Sequence, residues 1–139
     1  MLSQRADLDF GISNEQVRLA DIERITGHKM TRIGGYSIFD YANDNNTVFA
    51  ELKTRRIKHN DYETAIVGLN KIRAACLDST KTYYFCFNYT DGLYYIKYDR
   101  AMFDKFIINK KFMRSNRSDC NNDIQEIVHI PSGLLSKFV

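Results

Sequence analysis

Two β-forming runs, TYYFCFNYT (82–90) and LYYIKYD (93–99), flank Asp91-Gly92. An Asp-Gly pair between two such runs is the strongest short-range signal for a hairpin, because a tight turn needs backbone angles that glycine supplies at little cost. The tyrosines at 83, 84, 94, 95 and 98 follow the alternation of strands, so they read first as core and sheet surface, and second as platforms for stacked bases.

Other elements arrange themselves around that hairpin. SNEQVRLADIERITG (13–27) predicts a helix, with Ser13 as N-cap and Gly27 as its stop. Ile12, Leu19, Ile22 and Ile25 share one arc of it, and Glu15 falls within that arc. HKMTRI adds a short strand before Gly34-Gly35, YSIFDYA (36–42) predicts a second, NDNN (43–46) a turn, and TVFAELKT (47–54) the returning strand. A second helix is expected from about Asp61 to Asp78, with Asn60 and Glu63 as a capping box. Tyr62, Ala65, Ile66, Leu69, Ile72 and Cys76 form its apolar stripe. Residues 101–112 suit a short helix, and IQEIVHI (124–130) a late strand ending at Pro131. The expected fold is α/β (α+β): a central mixed β-sheet flanked by helices, in the order αβββαββ, as a single domain.

At 139 residues the chain is long enough for one real core, and 44% hydrophobic with 13% aromatic residues argues for folding over disorder. Net charge +3 is a mild basic bias, compatible with a nucleic-acid partner. Cys76, Cys86 and Cys120 form no CxxC pair, which argues against a structural zinc site or a disulfide framework and for a reducing, intracellular compartment. No signal peptide and no membrane span are read in the sequence. The histidines 28, 59 and 129 lie in no metal-ligating pattern, and neither a G-x-S-x-G elbow nor a glycine-rich phosphate loop is present.

The unusual feature is chemical. The apolar strand around VFAELKT carries Glu51 and Lys53, which as i and i+2 neighbours face the same way. A two- or four-residue turn at NDNN pairs Ala42 with Thr47 and Asp40 with Phe49, which sets Asp40 and Glu51 as diagonal neighbours on one face. Phe39, Tyr41, Val48, Ala50 and Leu52 then fall on the other face. An E-x-K pair alone is ordinary on a wet strand, but Asp40 beside it and Phe49 and Ile38 around it are not. Two convergent carboxylates repel, and one takes up a proton unless a cation intervenes. Mg²⁺ prefers such oxygen ligands, whereas Lys53 suits a water or a phosphate oxygen beside the metal.

These residues resemble the PD-(D/E)XK nuclease superfamily: Asp40, ten intervening residues, then Glu51-Leu52-Lys53, within a helix–strands–helix–strand order over roughly residues 10–100. Phe39 stands where the motif's proline would be. The resemblance implies a restriction-endonuclease-like core. It implies Asp40 and Glu51 as metal-binding carboxylates, the Leu52 carbonyl as a further ligand and Lys53 as the catalytic lysine. Glu15 is then an additional metal-site acid and Lys71 an auxiliary residue on the second helix. The reaction implied is Mg²⁺-dependent hydrolysis of DNA phosphodiesters, with Mn²⁺ as substitute and Lys53 orienting the attacking water.

DNA requires cations along its phosphates. KTRRIK (53–58) runs out of the site with Arg55, Arg56 and Lys58, and NKKFMRSNR (109–117) adds Lys110, Lys111, Arg114 and Arg117. A homodimer and a module of a larger protein both fit a chain of this size, in a phage or virus, a mobile element or a repair system. The alternatives to a nuclease are a non-catalytic nucleic-acid-binding module that keeps the fold, and a protein-interaction domain that presents the aromatic hairpin.

Overall fold

The computed structural model describes residues 18–34, 37–113 and 123–139. The first helix, α1, covers 18–26 of these and stops at Gly27, whose φ of +74° is open to glycine and strained for other residues. Three short-to-medium strands follow: β1 (Met30–Arg32), β2 (Tyr41–Asn43) and β3 (Val48–Thr54). After a 3-10 turn at His59–Asp61 come β4 (Thr64–Gly68), α2 (Leu69–Leu77), β5 (Thr82–Tyr89) and β6 (Gly92–Lys97). The chain closes with α3 (Arg100–Phe103), β7 (Ile107–Met113), β8 (Asp123–Pro131) and β9 (Ser136–Lys137).

The strands form two sheets. A six-stranded mixed sheet runs β1-β2-β3-β5-β6-β9, with β3 and β5 parallel and its other pairs antiparallel. A second, three-stranded antiparallel sheet runs β4-β8-β7. The parallel β3–β5 pair requires a crossover, and β4 with α2 supplies it. The result is the expected α+β domain with a large mixed sheet, consistent with a restriction-endonuclease-like core.

The β5–β6 hairpin forms as its sequence dictates, with Tyr89 opposite Gly92 and Gly92 at φ +144°. The expected order is incomplete, however. The helix read from Asp61 begins only at Leu69, and an extra strand, β4, occupies 64–68. TAIVG alternates buried Ala65 and Val67 with half-buried Thr64, Ile66 and Gly68, a period-2 pattern that also satisfies part of a helical stripe. The capping box moves with it: Asp61 Oδ2, not Glu63, accepts a backbone N–H, from Lys58 at 2.8 Å. Of the stretch expected as a strand from Tyr36 to Ala42, residue 36 lies outside the described residues, 37–40 form no strand, and β2 is Tyr41–Asn43; the second half of the expected helix at 101–112 is strand β7.

The large sheet has two covered faces. On one, Ile22 of α1 packs with Met30, Tyr41, Val48, Ala50, Leu52, Cys86 and Leu93. On the other, Tyr83, Phe85, Phe87, Tyr94 and Ile96 meet Leu69, Ile72 and Ala75 of α2, Ala65 and Val67 of β4, and Val128 and Ile130 of β8. Phe39 belongs to this second cluster, not to the first as period-2 counting placed it. Its segment bends instead of continuing β2, and its ring packs at a tilt against Tyr83 at 5.1 Å and Phe49 at 5.7 Å.

Candidate active site

The register between β2 and β3 determines where the charged residues meet. Tyr41 opposes Ala50 and Ala42 opposes Phe49. This is two residues away from the expected pairing, because the loop spans 44–47. Asn43 closes that loop by accepting from Thr47 N–H at 2.9 Å and Val48 N–H at 3.0 Å. A shift of two keeps every side chain on its face. The ladder pairing ends at Tyr41, and Asp40, the next residue, is held against β3 close to Glu51, whose carboxyl feels its charge.

Asp40 leaves the regular ladder at this point. Its N–H still donates to Ala50 O at 3.1 Å, but its carbonyl accepts from Ile33 N–H at 2.8 Å. The Leu52 N–H is taken instead by the Asp40 carboxylate, at 2.8 Å from Oδ2. Leu52 N–H therefore points to the β2 side, and in an extended strand the carbonyl of the same residue points the same way. The Leu52 carbonyl and the Asp40 carboxylate thus share one edge of β3, with the Glu51 side chain rising beside them.

Glu51 is 7% exposed, a carboxylate in register with Phe85 on the sheet face opposite Ala50 and Leu52. Burial, reinforced by the charge of Asp40, raises its pKa above the ordinary 4.5, and Lys71 and Lys53 partly offset the rise. Lys53, half-buried two residues on, is driven the other way. Desolvation and the neighbouring Arg55 lower it from 10.5, against the pull of Glu51. Lys71, from the first turn of α2, places Nζ 3.2 Å from Glu51 Oε2 and also donates to the Ile38 carbonyl. It stands on the edge of α2 that faces β3, which its position off the centre of the apolar stripe permits.

The donor set suits a hard divalent cation: two carboxylates and a carbonyl, with an unfavourable buried negative charge for the ion to offset. Among the described residues no group of three or more His, Cys, Asp or Glu side chains could hold a metal ion, so these two carboxylates stand without a third. Glu15, the additional acid suggested by the resemblance, lies outside the described residues.

The basic residues divide. Arg55 keeps the direction of Lys53, since its N–H donates to Asn88 O at 2.9 Å and so prolongs the β3–β5 ladder past the end of β3. It lines a cleft of about 900 Å³ between the two sheets. Arg56 and Lys58 are exposed on the segment that follows and do not line that cleft. In the second basic run, Arg114 and Arg117 lie outside the described residues. Tyr83 and Tyr94 are buried, and Tyr84, Tyr95 and Tyr98 are partly so, which is the core reading of the hairpin. The cleft contains residues that sequence reasoning passed over: Tyr62, absorbed into a helical stripe, is 63% exposed in the turn before β4. His129 joins Thr64 and Asn109 across the small sheet. No helix among the described residues is long and apolar enough to cross a membrane.

A mixed sheet with a parallel central pair, helices on its two faces, and an Asp beside a Glu-x-Lys strand are the marks of the PD-(D/E)XK nuclease class. The model of a family described as "phage putative PDDEXK endonuclease" matches residues 5–138, and the chain belongs to that family. No curated protein and no solved structure matches it.

Proposed function

We propose that the protein is a Mg²⁺-dependent nuclease that hydrolyses DNA phosphodiester bonds at the Asp40/Glu51/Lys53 site. The observation that carries this reading is the gathering of charged groups at one point of β3: Asp40 accepts from Leu52 N–H and its charge reaches Glu51, Lys53 shares the Glu51 face, and Lys71 lies on the Glu51 carboxylate. Asp40, Glu51 and the Leu52 carbonyl would hold the cation, with Glu15 as a further candidate ligand. When bound, the cation supplies Lewis acidity for the phosphate and for the attacking water.

The chain's own residues do the rest. Asp40 is fixed by Leu52 N–H, so its position costs no reordering when substrate arrives. Lys53 projects from the strand beside Glu51. As an ammonium it orients the water and offsets the negative charge that grows on the phosphate oxygens. Lys71 keeps Glu51 toward its ionised, ligating form. Arg55 sits one strand step further and holds the backbone phosphate that enters the cleft.

The test is cleavage of supercoiled, linear and branched DNA with Mg²⁺ or Mn²⁺. Lys53→Ala and Glu51→Ala are expected to abolish metal-dependent cutting while each variant keeps a cooperative thermal transition. Full activity in either variant refutes the assignment.

A further inference from the structure

We propose that the cleft at the end of β3 is a docking site for unpaired nucleobases, so that the substrate enters as a single-stranded segment. The position of this docking site relative to the cut rests on the nuclease reading; the binding itself does not. The cleft lies between the two sheets, and Arg55, Phe87, Tyr89, Tyr62, Ile107 and His129 are among its lining residues.

Its location follows from register. Glu51 pairs with Phe85 and Lys53 with Phe87, and Arg55 N–H bonds Asn88 O, so the face bearing Glu51 and Lys53 continues into Arg55, Phe87 and Tyr89. A strand laid along β3 with one phosphate at Lys53 therefore brings its next nucleotide over the cleft.

The walls match an unstacked base. Phe87 and Tyr89 are buried and make an apolar floor, stacked on each other at 6.0 Å between ring centroids. Tyr62 and Ile107, 63% and 69% exposed, leave large apolar surface open on this one cavity. Single exposed apolar residues are ordinary, but two that converge on one concave site mark a binding surface. The third wall is polar. Thr64 Oγ1 lies 2.9 Å from His129 Nδ1, and His129 Nε2 lies 2.9 Å from Asn109 Oδ1. These three residues come from β4, β8 and β7, so the small sheet fixes a row of hydrogen-bonding groups where a base edge would rest. Stacking on one side and edge hydrogen bonds on another is how proteins hold unpaired bases.

Charge decides the orientation. Arg55 is on the large-sheet side and Glu63 on the opposite wall, so the phosphates belong beside Arg55 and the bases point across toward β4. Size suits an unpaired strand. About 900 Å³ is the volume of a small-molecule site and takes one or two unstacked nucleotides.

The test uses the wild-type protein with EDTA, which prevents cutting, and fluorescence anisotropy on three labelled probes: a mixed-base 12-nucleotide single strand, an abasic strand of equal length and charge, and a blunt duplex. The intact strand is expected to bind roughly 5-fold or more tightly than the abasic strand, the contribution of one stacked base. Tyr62→Ala, at an exposed turn, is expected to remove most of that preference and to leave abasic binding unchanged. Arg55→Ala is expected to weaken both strands alike. Equal affinity for intact and abasic strands overturns the proposal, as does a preference that survives Tyr62→Ala or tighter binding of the duplex. A base preference without metal-dependent cleavage upholds the docking site and refutes the nuclease reading. Cleavage without a base preference does the reverse.

Discussion

Lys71 Nζ lies 3.2 Å from Glu51 Oε2, a contact between the first turn of α2 and the middle of β3. One ammonium group thereby meets a buried carboxylate that Asp40 already repels. The same charge also works against Lys53, helping to hold its pKa low. Lys71 thus pulls both titrating groups of the site downward.

That dual role predicts how activity depends on pH. At limiting Mg²⁺, where a proton competes with the cation for Glu51 and Lys53 is needed as ammonium, the pH profile of activity is a bell whose acid limb lies above 4.5 and whose alkaline limb lies below 10.5. Lys71→Met removes a charge that lowers both groups, so both limbs are expected to move to higher pH together. A variant whose limbs stay in place, or move in opposite directions, contradicts this account of Lys71.

The strain on Glu51 has a consequence for stability. Its folded pKa is raised, so the folded chain binds a proton more readily than the unfolded chain does. The stabilising effect of that proton is complete below about pH 4.5 and is lost as pH rises through the higher folded value. Metal-free Glu51→Gln is therefore expected to melt above the wild type at pH 7–8, with the difference shrinking toward pH 4.5. Thermal denaturation in EDTA across that range checks it, and a variant less stable at neutral pH shows that Glu51 is well paired as it stands.

Phe39 predicts a different outcome. It is 6% exposed and packs on Phe49, Tyr83 and Phe85, which fixes the bent segment that delivers Asp40. Phe39→Ala is expected to cost about 3–5 kcal/mol of stability. It should also lower cleavage at temperatures where the variant is still folded. Phe103→Ala, of similar burial but distant from Asp40 in sequence, serves as comparison. It is expected to lose comparable stability and keep its rate per folded molecule. Equal rates in the two variants dissociate Phe39 from the site.

The limits of sequence reading are physical and can be traced to particular residues. The Asp91-Gly92 hairpin, the stop at Gly27 and the turn after Asn43 were legible because each depends on local backbone chemistry. That Glu51 and Lys53 share a face apart from Val48, Ala50 and Leu52 was legible for a different reason: a register error of two leaves sidedness untouched. TAIVG was not, since five residues of alternating burial mimic part of a helical stripe, and β4 forms only through its pairing with β8, distant in sequence. Phe39 was assigned the wrong face because the chain bends where counting assumed a strand. The cleft was invisible for the same reason as β4, because its walls come from strands that tertiary pairing alone brings together.

Metal binding offers a test independent of catalysis. If Asp40 and Glu51 ligate the ion, saturating Mn²⁺ at about 100 times its Kd adds about 2.7 kcal/mol of stability, which is several degrees in Tm. Asp40→Asn is expected to lose that gain and to keep the wild-type Tm in EDTA to within a few degrees. A gain that persists in Asp40→Asn locates the ion elsewhere.

The most direct measurement is the anomalous signal of manganese in a crystal of the wild-type protein soaked with Mn²⁺. The expected result is a peak at about 2.0–2.3 Å from carboxylate oxygens of both Asp40 and Glu51, facing the Leu52 carbonyl. The contradicting result is a saturated crystal with no peak between those two residues.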